Sequence, residues 1–278
     1  MFLLYMMLKN KKILCHEIDE ITLNLLNNIK NDFPNTKIMI HPLCFFEKET
    51  GLTYNYGDLG VYLHLTNFIA IYVKQDLNNE LFNIALSHEL LHHYQIMRDI
   101  NIIYNVNQFC KEKLPNFKSI IENIYKSMMD VEIYYKQKQL GYDLTPLSKY
   151  LIDSHIEDLL NTEVDINLQN NISWYFMAFY KCWFISEYLY ALDDLMFKND
   201  IIKFYENNLS DENWIIWKSL LSLTKAYPPD SNHNYDIMLK QICSRLLKCT
   251  AYLKKINPPM RTIKLMLFDL IPACVNYL

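Results

Sequence analysis

Residues 68 to 92 read Phe-Ile-Ala-Ile-Tyr-Val-Lys-Gln-Asp-Leu-Asn-Asn-Glu-Leu-Phe-Asn-Ile-Ala-Leu-Ser-His-Glu-Leu-Leu-His. The first six are a continuous β-rich apolar run, the pattern of a buried strand. After Asp76 the spacing changes to that of a helix, predicted from about Asn79 to Asp99 with Asp76 or Asn78 as its cap. The switch of period at Val73 sets the fold class: α+β, a small, largely antiparallel sheet followed by a mainly helical chain.

Upstream, Ile18, Ile21, Leu25 and Ile29 predict a first helix over residues 16 to 31, ending near Pro34. Short β-rich runs follow at Lys37 to His41, Leu52 to Tyr56, Val61 to Leu65 and Phe68 to Val73, separated by Gly51, the Gly57-Asp58-Leu59-Gly60 turn and Thr66-Asn67. Downstream, helices are predicted at 118–140, 147–160, 172–197, 212–225, 235–255 and 261–274. The turn-rich stretch Gly141 to Pro146 divides the chain into domains of residues 1–145 and 146–278.

Composition narrows the function. In 278 residues, 51% are hydrophobic, enough for a substantial core, and the net charge is −4 with Lys and Arg scattered. No concentrated basic surface points to nucleic acid. Seven cysteines at irregular spacing, with no CxxC pair, read as reduced thiols of an intracellular, cytoplasmic protein. The opening MFLLYMML is followed rather than preceded by its lysines, the reverse of a secretion signal. The aromatic segment from Ile172 to Phe197 is broken by Lys181, Glu187, Asp193 and Asp194, so no membrane span is expected.

The chemistry lies at residues 88 to 92, His-Glu-Leu-Leu-His, which match HExxH on a predicted helix. Histidines four apart project from one side of a helix and can grip one Zn²⁺, while Glu89 flanks the metal as general base. His93 faces elsewhere and is expected in the surroundings of the site or on the surface. A third ligand is required. The other histidines (His16, His41, His64, His155, His233) form no further ligand pattern, which favours a carboxylate. On the helix 118–140, Ile121, Tyr125, Met128, Glu132 and Tyr135 form an apolar stripe whose one charge is Glu132, the expected metal ligand. Asp130, on the opposite side with Asn123, Ser127 and Gln137, takes its place if the register is shifted; a surface ion pair of Glu132 with Lys136 or Lys138 is the competing account.

The strand Phe68 to Val73, the helix from Leu81 and its His-Glu-Leu-Leu-His resemble zincin peptidases, especially the compact ImmA/IrrE-like gluzincins. Leu91 stands where that family has glycine, and Ile133-Tyr134 follow Glu132 in place of its Glu-Ala-Asn block. The resemblance covers at most residues 37 to 143 and implies a zinc peptidase. His88 and His92 would be ligands, Glu89 the base, and a glutamate of a later helix, near Asp130-Val131-Glu132, the third ligand. The expected activity is hydrolysis of a peptide or protein substrate. The alternative is a regulatory zincin-like domain that binds a protein partner with little turnover.

Overall fold

The computed structural model describes residues 12–54, 58–65, 68–113 and 129–161, with Ile185, Lys203 and Asn207 singly. The predicted helices at 172–197, 212–225, 235–255 and 261–274 lie outside the described residues, apart from Ile185, as does the first part of 118–140. By contact density the chain forms two compact units, Met1–Arg98 with Lys136–Ser154, and Asp99–Tyr135 with His155–Leu278.

The first unit opens with a hairpin, β1 (Lys12–Ile13) and β2 (His16–Glu17), paired antiparallel. The predicted helix from residue 16 therefore begins later, as α1 (Glu20–Asp32). Asp19 sets its start by accepting a 2.6 Å bond from the Thr22 amide, and Leu25, Leu26 and Ile29 bury its apolar face. Then follow β3 (Lys37–Pro42), a 3₁₀ turn (Leu43–Phe45), and α2 (Phe46–Thr50), closed by Gly51 in the left-handed region. Residues 52–54, expected to start a strand, have no regular structure, and 55–57 lie outside the described residues.

Strands β4 (Gly60–Leu65) and β5 (Phe68–Val73) complete a three-stranded sheet in the order β3-β5-β4. β4 and β5 are antiparallel, but β3 runs parallel to β5, so this sheet is mixed where a largely antiparallel one was expected. The segment from Leu43 to Leu59 carries the chain from the end of β3 to the start of β4, and strand composition alone does not reveal such pairing.

Register assigns the two faces. Val61 and Leu63 of β4 pair with Tyr72 and Ala70, and these pack with Leu43 and Phe46 on one side. On the other side Gly60, Tyr62 and His64 pair with Val73, Ile71 and Ile69, all three fully buried. Covered on both faces, β5 reads as a continuous apolar run rather than an alternating one.

Helix α3 (Asn79–Lys113) carries Phe82, Leu86 and Leu90 fully buried at helical spacing. It continues past the predicted end at Asp99. Asn78 caps it by accepting from the Leu81 amide at 2.8 Å. A further helix, α4, occupies residues 129–140 and ends at Gly141, whose φ of 100° suits a residue without Cβ. α5 (Thr145–Asn161) follows. Among the described residues no helix is long and apolar enough to cross a membrane.

One amide fastens the hairpin and α1 to α3. Asn83, 3% exposed, accepts from the Asp19 amide at 3.1 Å and donates to the carbonyls of Glu17 at 2.9 Å and Asn79 at 2.7 Å. Asn83→Ala leaves Asp19 N–H and Glu17 C=O without this partner, an expected cost of about 2–3 kcal/mol. Urea unfolding of the variant beside the wild type should show the lower midpoint with an unchanged slope.

Candidate metal centre

The motif falls on the third and fourth turns of α3, where helix geometry stacks residues four apart. The rings of His88 and His92 lie with centroids 4.8 Å apart and planes at 82°. Both are half-buried. One ligand atom from each of His88, His92 and Asp130 lies within 4.8 Å of the other two. Two imidazoles and a carboxylate are a donor set that suits zinc and other divalent first-row metals, so the chemistry of these residues fits the expected ion.

Asp130, not Glu132, joins the histidines. Glu132 is buried, at 6% exposure, and stands outside that group. Two residues apart on a helix means roughly 200° of rotation, so the two carboxylates face different ways. The expected stripe does not single out one side, because α4 has no single apolar face: Met129, Val131, Ile133 and Tyr134 are all buried. What distinguishes a side is a buried amide. Gln137, fully buried, donates to the Ile84 carbonyl and to Ser87 Oγ, both at 2.7 Å, on the turn of α3 just before His88. Asp130 lies seven residues before Gln137, two turns along the same side of the same helix.

Gln95 is a partner of His92 that the sequence reading missed. Fully buried on α3, its Oε1 accepts a 3.1 Å hydrogen bond from His92 Nδ1. A carbonyl oxygen only accepts, so Nδ1 carries the proton in this contact, which leaves Nε2 as the nitrogen through which His92 would hold a metal. Its signal was present: a polar residue three positions beyond the second histidine shares its side of the helix.

Glu89 is 6% exposed, and the strand beside it bears no side chain: a methyl group on Gly60 would lie 2.8 Å from Glu89 Cγ and 2.9 Å from Oε1. His93, expected in the surroundings or on the surface, is fully buried. A 2.8 Å hydrogen bond joins its Nδ1 to the Tyr62 hydroxyl, Phe33 packs edge-on at 4.5 Å, and Nε2 has no hydrogen-bond partner. Burial first, and neighbouring His64 second, lower its pKa from 6.5 to about 4. Burial also holds the Tyr62 hydroxyl protonated well above the usual tyrosine range.

No protein-family model, curated protein or solved structure matches this chain.

Asp130→Ala is expected to weaken zinc binding on the order of a hundredfold or more, beyond the loss typical of outer contacts, while Glu132→Ala keeps most of it. Competition with a chromophoric chelator measures both.

His93 sets a pH dependence. Between about 4 and 6.5 the unfolded chain binds a proton at this residue that the folded chain does not, so its contribution to stability is complete above 6.5 and is lost as pH falls toward 4. In chelator-treated protein, His93→Gln should narrow the difference in melting temperature between pH 7 and pH 5.

Proposed function

We propose that this chain is a cytoplasmic zinc-dependent peptidase of the zincin type, acting on a peptide or protein substrate, with His88, His92 and Asp130 as ligands and Glu89 as general base. The observation that carries this reading is the convergence of one ligand atom from each of His88 and His92 of α3 and Asp130 of α4 within 4.8 Å, with the buried Glu89 next to His88 in the motif.

Zinc, when bound, polarises the scissile carbonyl and makes water a competent nucleophile near neutral pH. The protein's own part is positional. Glu89 accepts the proton of the attacking water and returns it to the departing amine nitrogen, a transfer that needs a carboxylate held beside the ligands without being one of them. Its place one residue along the helix from His88 provides that offset. Gln95 keeps His92 in the ligating tautomer, and Gln137 ties α4 to the turn of α3 that ends at Ser87. Glu89 is 6% exposed, and its side chain fills the space that a side chain at position 60 would take.

Glu89→Gln separates catalysis from binding, because the amide keeps the shape of the side chain and loses the base. Cleavage of a peptide library by the zinc-loaded protein should fall by at least about a hundredfold, with zinc content unchanged. Tight binding of a protein partner, with no cleavage by wild type and no effect of Glu89→Gln, would instead establish a regulatory domain.

A further inference from the structure

Gly60 is an unusual place for a glycine. Its φ is not in the left-handed region, which among the described glycines holds only Gly51 and Gly141, so its backbone conformation is open to any residue. A glycine inside a strand gives up side-chain packing and costs backbone entropy. What sets Gly60 apart is space: a Cβ there would meet Glu89 Cγ at 2.8 Å, Oε1 at 2.9 Å and Cδ at 3.1 Å, and no other group so closely.

A second contact fixes the same two elements. Tyr62, two residues along β4, reaches His93, four residues along α3, through the 2.8 Å hydrogen bond. Two residues of strand span roughly 6.7 Å and four residues of helix about 6 Å, so both contacts are made by one strand lying along one side of the helix. Pairing with β5 confirms that Gly60 and Tyr62 share a face of β4. A slip of one residue would turn Val61 toward Glu89.

We propose that Gly60 is a positioning residue for Glu89: its missing side chain forms the seat of the carboxylate, and the Tyr62–His93 bond holds β4 in the register that keeps the seat there. This rests on the reading of Glu89 as general base for its catalytic consequence, but not for the contact itself. Glu89 is buried, and an added methyl group cannot share the place its side chain now holds, so the side chain shifts and carries the carboxylate away from the position its role requires.

The test is a double-mutant cycle with two readouts. Gly→Ala at an unstrained position usually stabilises by narrowing the unfolded ensemble. Here Gly60→Ala should lower the melting temperature by a few degrees in the wild type and leave it unchanged or raise it in Glu89→Ala, a reversal measurable without metal or substrate. If Gly60→Ala alone does not fold, folding of the Gly60→Ala, Glu89→Ala double variant supports the proposal equally. In the zinc-loaded protein Gly60→Ala should lower kcat by roughly a hundredfold with KM and zinc affinity unchanged, and adding Glu89→Asp, one methylene shorter, should recover part of the loss. The same Gly60→Ala penalty in both Glu89 backgrounds would overturn the proposal, as would full kcat in Gly60→Ala. A wild type that neither binds zinc nor cleaves peptides would overturn the proposed function and leave the stability cycle to decide the Gly60 contact.

Discussion

A carboxyl group taken out of water has to be accommodated by its surroundings, and in the first unit Glu89 is 6% exposed. Its side chain occupies space that any residue other than glycine at position 60 would take. The sheet gives that space a fixed address: Gly60 pairs with Val73 on the central strand, and the Val73, Ile71 and Ile69 side chains are fully buried on the same face. The position of one acidic side chain is thereby tied to the register of the sheet.

Uncharged amides make the remaining connections. Asn83 secures the hairpin and the cap of α1, Gln95 orients His92, and Gln137 joins α4 to the turn of α3 that leads into the motif. Each is nearly or fully buried and satisfies backbone or side-chain groups that would otherwise be costly to enclose. These contacts are directional where apolar packing is not, so they specify which of several sides of a buried helix faces its neighbour.

That distinction separates what the sequence disclosed from what it hid. The strand Phe68–Val73 and the start of the motif helix were legible because an apolar run and a change of period are local signals. The approach of the His88 and His92 rings was legible because a helix fixes the relation of residues four apart. The parallel pairing of β3 with β5 was not, since it depends on where an irregular segment returns the chain. The α1 start was misplaced because His16 and Glu17 form a hairpin strand, although Asp19 was a visible cap. That Asp130 rather than Glu132 lies near the two histidines was hidden for a different reason: a helix buried on several sides carries no amphipathic stripe, and the informative residue was Gln137, whose partners are some fifty positions away.

Charge explains why amides rather than acids serve as these supports. On the proposed reading the centre contains two carboxylates, Glu89 and Asp130, and a divalent cation offsets both while the imidazoles remain neutral. A carboxylate at position 95 would strengthen the hold on His92, as in many metal sites, but would add a negative charge that the cation could not also balance. The amide of Gln95 accepts the same proton without that charge. Gln137 likewise donates to a carbonyl and a hydroxyl, a task that an ionised acid, which has no proton to give, cannot perform. On that reading Gln95 and Gln137 position the ligand-bearing helices while leaving the balance of charge to the two acids and the ion.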